Sequence, residues 1–127
     1  DAVEASVKKL IFETVLTDDQ AKFRSGQSRL SDEAKAALDQ MVAQVKSQAA
    51  AIWVEIEGHT DNTGEAAYNE RLGLERAEAV KRYLYEQHQV PLHKMNAISF
   101  GEEKPVQDNK TRANRSQNRR VVIKVLA

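Results

Sequence analysis

The sequence predicts an α+β fold, a two-layer β-α-β-α-β-β arrangement in which helices cover one face of a mixed sheet. Short segments rich in β-forming residues alternate with longer segments whose apolar residues recur at helical spacing. The last two strand-like segments are separated by a polar stretch that has room for only a short helix. Strands that alternate with helices and then end in a strand pair favour a mixed sheet over a purely parallel one.

The length and the charge of the chain limit what the protein can be. Its 127 residues fit one domain, with an N-terminal extension and first-strand region at 1–20 and the core at 21–126. Acidic and basic residues number 19 each, so the whole protein has no field that favours nucleic acid or anionic lipid. The absence of cysteine excludes disulfides, thiolate metal sites and cysteine nucleophiles. Because the chain begins with Asp instead of Met, we expect a processed product or a fragment from which an anchor or export signal could have been removed.

The N-terminal region predicts one strand followed by an irregular connection. Residues 10–16 are rich in β-formers and predict the first strand. The composition then predicts a turn at 17–20, a further extended stretch at 21–23 and a loop at 24–28.

The first helix and the second strand have the clearest patterns. Ser31 is a good N-cap, and apolar residues at helical spacing give the helix one stripe until it fades near 48–50. Residues 52–57 alternate strictly, which predicts a strand with one buried and one exposed face. Residues 58–64 are then predicted to form a loop.

The C-terminal half predicts a long helix and two more strands. The helix runs from Glu65 or Ala66 to about His88. Residues 95–101 predict a strand, 111–117 a short helix and 119–126 the last strand. Neighbouring residues on a strand point to opposite faces, so only one of the two arginines at its start can reach a given site.

The long helix carries two polar residues on its apolar side. At about 100° per residue the core face spans an arc of roughly 140°, and Asn69 and Arg76 lie inside that arc. Gly73 lies between them and leaves space beside the backbone. The other members of this face are Leu72, Ala77, Val80, Tyr83 and Leu84. A guanidinium in such a position must be paired, because stranding a buried charge is costly.

Two interpretations of Arg76 are open. In the first, its guanidinium pairs with Asp61 or another acid as a structural tie. In the second, the two charges are held apart and each binds one end of an amino acid. Asp61 would take the ammonium group, and Arg76 would take the carboxylate through two parallel hydrogen bonds. Backbone N–H groups around 62–64, at the start of the helix, would add donors for an anion.

Three separated motifs resemble those of the OmpA-like peptidoglycan-binding domain family. They are Ile56-Glu57-Gly58-His59-Thr60-Asp61-Asn62-Thr63-Gly64, then Asn69, Leu72, Arg76-Ala77 and Val80, and finally Asn118-Arg119-Arg120-Val121. The resemblance covers roughly residues 20–126, and the motifs agree in order and spacing. The family includes C-terminal domains of outer-membrane porins, peptidoglycan-associated lipoproteins and the periplasmic part of flagellar stator proteins.

The resemblance implies a periplasmic domain that binds the cell wall non-covalently, with no enzymatic activity and no cofactor. The implied ligand is the diaminopimelate of the peptidoglycan stem peptide, whose free amino acid head group is held by Asp61 and Arg76. The implied ligand-binding residues are Thr60, Asp61, Asn62, Thr63, Gly64, Asn69, Leu72, Arg76 and Arg119. Contact with a membrane is expected only through a segment missing from this chain, and a homodimer is left open.

The sequence departs from the family pattern at three places. The family's aromatic-Asp motif before the first helix reads Phe23-Arg24-Ser25-Gly26 here, so contacts made by that motif are not implied. The usual Leu-Ser before the helix arginine is Leu72-Gly73, and the usual Gly-Arg before Asn-Arg-Arg is Asn114-Arg115. The two residues that would hold the head group are unaffected.

Other functions have weaker support in the sequence. His59 and Asp61 give half of a metal site, but zinc needs three or four ligands, so we predict no metal and expect His59 to pack or hydrogen-bond at the strand end. Residues 104–124 carry seven basic residues and one acid without interleaved aromatics. They are interpreted as a solvated basic rim that attracts cell-wall carboxylates, not as a nucleic-acid interface. Nothing in the spacing of Asp61 and Glu57 demands a glycosidase pair, and no nucleophile motif or phosphate loop is visible.

The sequence therefore predicts a non-enzymatic periplasmic anchor that attaches an outer-membrane protein to peptidoglycan. The alternative is the wall-binding domain of a flagellar-type motor stator, attached to the inner membrane. The region before this chain distinguishes them, because a β-barrel or a lipidated cysteine favours the first and one acidic transmembrane helix favours the second. A wall hydrolase would require turnover of purified peptidoglycan.

Overall fold

The computed structural model describes residues 9–17, 29–46 and 52–127. The elements in these ranges are β1 (Leu10–Thr17), α1 (Asp32–Lys46), β2 (Trp53–His59), α2 (Ala66–His88), a 3₁₀ turn (Leu92–Lys94), β3 (Met95–Gly101), α3 (Arg112–Asn118) and β4 (Arg120–Leu126). The predicted order of strands and helices is confirmed. The turn predicted after Thr17, the extended stretch and loop at 21–28 with Phe23-Arg24-Ser25-Gly26, and the end of the first helix near 48–50 lie outside the described residues.

The four strands form one mixed sheet in the order β1-β4-β2-β3. Strand β4 is antiparallel to both β1 and β2, whereas β2 and β3 are parallel and are joined through α2. The predicted mixed sheet is therefore confirmed. Because the carboxyl ends of parallel strands meet at one edge of a sheet, the loops that follow β2 and β3 are neighbours. The hydrogen bond from Thr60 N to Gly101 O, at 2.8 Å, joins them directly.

Helices α1 and α2 each bury one apolar stripe against the sheet. Ser31 is the N-cap of α1, as predicted, since its Oγ accepts from Ala34 N at 3.1 Å. The buried apolar side chains that form the core include Ala34, Leu38, Met41, Val45, Ala77, Val80 and Leu84 of the two helices and Leu16, Val54, Ile56, Met95, Val121, Ile123 and Val125 of the strands. This layer of side chains is the core, and it confirms the predicted apolar stripes.

Helix α2 lies on β2 with backbone against backbone. A Cβ atom added to Gly58 would lie 1.9 Å from the carbonyl oxygen of Gly73, a distance that no packing allows. A Cβ atom added to Gly73 would lie 2.4 Å from Ser99 Oγ. The space beside Gly73 is therefore filled by the sheet, and it fixes α2 at one position along β2.

Strand β2 is longer than the sequence pattern predicts. Gly58 pairs with Val121, and His59 pairs with Arg120 and Gly101. The prediction that the loop begins at Gly58 is therefore wrong. A glycine is usually a sign of a turn, but here it marks the close approach of a second backbone.

We expect Gly58→Ala to lower the free energy of unfolding by about 3 kcal/mol, because the new methyl group collides with the backbone of α2. Urea denaturation followed by circular dichroism measures the change. Gly64→Ala is the control, since nothing lies within 4 Å of its added Cβ and its φ of +88° costs about 1–2 kcal/mol. If the two variants lose the same free energy of unfolding, the tight contact between Gly58 and α2 is contradicted.

Candidate functional site

The loop after β2 holds Asp61 in a buried turn. Its Oδ1 accepts a 2.8 Å hydrogen bond from Thr63 N, and its backbone oxygen accepts from Thr60 Oγ1 at 3.0 Å. Gly64 follows with a positive φ of 88°, which glycine adopts without strain, and α2 begins two residues later. Asp61 is 4% exposed, whereas the three residues after it are exposed. The loop therefore places three exposed residues directly after a buried carboxylate.

Arg119 is the cationic partner of that carboxylate. Its Nη1 lies 2.5 Å from Asp61 Oδ2, and its Nη2 donates to Ser116 Oγ at 2.8 Å. Arg120 points elsewhere, because its Nη2 donates to Lys104 O at 2.8 Å. Only one of the two neighbouring arginines reaches Asp61, as expected. Both side chains of the Asp61–Arg119 pair are mostly buried, so water screens their attraction less than at an open surface.

Asn69 joins the loops that follow β2 and β3. Its side chain is buried, and Nδ2 donates at 3.3 Å both to Asp61 O and to Glu102 Oε2. The predicted inward direction of Asn69 is confirmed. Glu102 is not among the residues that the sequence analysis selected. Its position directly after β3, the parallel neighbour of β2, is the signal that would have found it.

Arg76 lies two turns beyond Asn69 on the same face of α2. It is 0% exposed and is the largest of the fully buried side chains among the described residues. Leu72 is also buried, between the two. The predicted burial of a guanidinium on the core face of α2 is confirmed, while the role of that guanidinium stays a prediction.

Asn118 has a structural role that the motif alone did not show. Its side chain is fully buried. Oδ1 accepts from Val106 N at 2.9 Å and Gln107 N at 3.0 Å, and Nδ2 donates to Gln107 O and Asn109 Oδ1, both at 2.9 Å. These four bonds use both donors and two acceptor positions of the amide. They fix the loop before α3, and therefore the position of Arg119.

His59 packs at the end of β2, as predicted. It is 2% exposed, its ring stacks on Phe100 with centroids 5.3 Å apart, and Nε2 lies 3.4 Å from Glu57 Oε1. Burial lowers the pKa of His59 from 6.5 to about 4, and the positive charge of Arg120 acts in the same direction. The imidazole is therefore neutral at physiological pH.

The expected solvated basic rim at 104–124 is wrong for three of its residues. Arg119 pairs with Asp61, Arg120 is 7% exposed, and Lys124 Nζ lies 3.0 Å from Glu57 Oε2. Counting charges along the sequence does not reveal that these three cations have polar partners within the fold. Glu57 is a strand residue, as predicted, and the structure adds Lys124 as its basic partner.

The described part of the chain contains neither a cluster of metal-ligating side chains nor a membrane-spanning helix. Within residues 9–17, 29–46 and 52–127, no group of three or more metal-ligating side chains is placed to hold an ion. No helix in the same ranges has both the length and the hydropathy needed to cross a membrane.

Comparison with known proteins identifies the family. A model of the OmpA family matches residues 22–119. The chain is 34% identical over 125 residues to outer membrane porin F from Pseudomonas aeruginosa, which covers 98% of this chain and 35% of that protein. The crystal structure of the peptidoglycan-associated lipoprotein from Burkholderia pseudomallei has a TM-score of 0.75 at 33% identity, covering 87% of this chain and 88% of that one. The periplasmic domain of Helicobacter pylori MotB shares the fold, with a TM-score of 0.76 at 20% identity over 94% of this chain and 86% of that one.

The chain belongs to the OmpA family. It spans about a third of the length of porin F. Domains of the OmpA and peptidoglycan-associated lipoprotein type are non-enzymatic structural modules, which confirms the prediction that this domain is not an enzyme.

We expect the free energy of unfolding to fall by up to about 3 kcal/mol as the pH is lowered from 6.5 towards 4, with the folded-state pKa of His59 at about 4. In that window the unfolded chain binds a proton at His59 that the folded protein does not bind, so acid favours unfolding. Urea denaturation at pH 7 and pH 5 measures the effect.

His59→Gln should flatten this pH dependence, because the variant has no imidazole to protonate. His93→Gln, at an exposed position, is the matched control and should keep the slope of the parent. A slope in His59→Gln as steep as in the parent would place the titrating group elsewhere.

Proposed function

We propose that this domain binds peptidoglycan non-covalently by holding the amino acid head group of diaminopimelate in the stem peptide. The observation that supports it best is that two consecutive parts of the fold, the loop after β2 and helix α2, each bury one of two opposite charges. The buried Asp61 lies beneath an exposed loop, and α2 carries the buried Arg76 on the face where Asn69 contacts that loop. An amino acid head group has the complementary pair of charges.

The proposed pose assigns one end of the ligand to each charge. The ammonium group would bind Asp61, whose two oxygens each accept one bond in the ligand-free protein and keep further lone pairs. The carboxylate would bind the planar guanidinium of Arg76 through two parallel bonds. Because Arg76 is 0% exposed here, the proposal includes a rearrangement that uncovers it when the ligand binds.

The remaining site residues would orient the ligand. The exposed backbone of Asn62, Thr63 and Gly64 lies just before α2, where N–H groups and the helix dipole favour an anion. The buried side chains of Thr60 and Leu72 would form the wall of the site. Arg119 would keep the Asp61 carboxylate oriented in the absence of the ligand.

The relatives support the cell-wall assignment. One structural relative is named a peptidoglycan-associated lipoprotein, and porin F is an outer membrane protein. We therefore infer that the domain anchors the rest of its protein to the wall from the periplasm, on the outer-membrane side. The stator alternative rests on likeness to MotB, which is a likeness of fold alone, and the homodimer stays a prediction.

Calorimetric titration with a diaminopimelate-containing stem peptide tests the proposal. We expect the parent to bind, and we expect Asp61→Ala and Arg76→Met to lose measurable binding, since each removes one charged contact. Arg82→Ala is the matched control, because Arg82 is an arginine of α2 whose side chain is 75% exposed. It should bind like the parent.

Circular dichroism and urea denaturation decide between a ligand contact and a structural tie. Folded variants that do not bind support the proposal. If Asp61→Ala and Arg76→Met both fold and bind the stem peptide like the parent, the proposal is overturned. Arg76→Met keeps most of the side-chain volume, so that loss of the charge is separated from loss of packing.

Amidation of the diaminopimelate carboxylate should weaken binding about 10- to 100-fold, because a charge-assisted pair with Arg76 becomes a neutral contact. The same two peptides titrated into Arg76→Met should differ little. Equal affinity of the parent for the acid and the amide would show that Arg76 does not bind the carboxylate.

A further inference from the structure

Glu102 lies at the proposed site although no sequence motif selected it. It is the first residue after β3, and the parallel pairing of β2 with β3 places it at the same sheet edge as the loop after β2. Gly101 has a φ of +53°, and a Cβ atom there would lie 3.2 Å from the backbone of Glu70. This tight turn against α2 directs the chain so that Glu102 lies beside the first turns of the helix.

Asn69 holds Glu102 near Asp61. One amide nitrogen donates at 3.3 Å to Glu102 Oε2 and at 3.3 Å to the backbone oxygen of Asp61. The two acceptors therefore flank a single Nδ2 atom. Glu102 is half-buried, and the contact with Asn69 uses one of its two carboxylate oxygens. A carboxylate in this position is fixed by the fold and still reachable from solvent.

Glu102 also brings a second negative charge to the loop that holds Asp61. The Asp61 carboxylate already has Arg119 as a cationic partner. A bound ammonium group would be a second positive charge beside Asp61, and Glu102 supplies the second carboxylate to offset it.

An ammonium group also needs more acceptors than Asp61 offers. It has three N–H donors, and both oxygens of Asp61 already accept from Thr63 and Arg119. A second carboxylate near the same loop supplies the missing acceptor and the missing negative charge.

From these contacts we infer that Glu102 is a second acceptor for the ligand's ammonium group and makes the site selective for a free amine. The inference rests on the proposed function, since it assigns a further contact to the same ligand. Glu102 and Asp61 hold the ammonium group together, and Asn69 sets the spacing between them.

A variant pair separates this role from a structural one. Glu102→Gln removes the charge but keeps a carbonyl oxygen that can accept from Asn69 Nδ2. If Glu102 served only to position Asn69, this variant would bind like the parent. Glu103→Gln is the control, because it makes the same change one residue later at an exposed position.

The test is titration of both variants with a stem peptide whose diaminopimelate amine is free, and competition by the same peptide with that amine acetylated. We expect Glu102→Gln to bind the free amine about tenfold more weakly than the parent, in line with a hydrogen bond to a charged group. Its preference for the free over the acetylated peptide should fall by a similar factor. Glu103→Gln should match the parent in both measurements.

The outcomes separate this inference from the proposed function. A parent that binds, with Glu102→Gln unchanged in affinity and in amine preference, would overturn the role of Glu102 and leave the proposed function standing. A parent that does not bind the free-amine peptide would overturn both. Circular dichroism of each variant confirms that the comparison is made between folded proteins.

Discussion

The contact between Gly58 and Gly73 is the constraint on which the site depends. Each backbone carries part of the site, since β2 leads into the loop with Asp61 and α2 carries Asn69 one turn before the contact and Arg76 about one turn after it. Two backbones that touch leave no side chain to deform, so the helix cannot slide along the strand without losing core contacts. The spacing between the loop and the helix face is therefore set by packing and not by the polar groups themselves.

The polar groups of the site come from four separate parts of the fold. The loop after β2 supplies Asp61, α2 supplies Asn69, the turn after β3 supplies Glu102, and the junction of α3 with β4 supplies Arg119. Asn118 then fixes the loop before α3 with four hydrogen bonds, so the last of these positions is also held by the fold. A network in which every partner belongs to a different element exists only in the folded chain, and it is rigid because each member limits the others.

Periodicity predicted the elements and the inward direction of Asn69 and Arg76, because a helix on a sheet must bury one stripe and a polar residue inside that stripe is conspicuous. Periodicity does not predict which residues pair across the sheet. Arg119 meets Asp61 because β4 lies between β1 and β2, and no local pattern encodes that strand order. Gly58 was assigned to a loop for the same reason, since its membership of β2 depends on partners that are distant in the sequence.

A purely structural role for Arg76 is a weak explanation of its position. Breaking a buried ion pair is costly, but replacing such a pair by apolar residues of similar volume is often neutral or stabilising, so stability alone does not call for a guanidinium in a core. Apart from Asn69, the rest of the face that α2 buries is made of apolar and small side chains, and Leu72, Ala77 and Val80 already supply its packing. What an apolar residue could not supply at this position is a planar, permanently charged donor. Binding of the ligand carboxylate, as proposed, would give that guanidinium a role that packing does not.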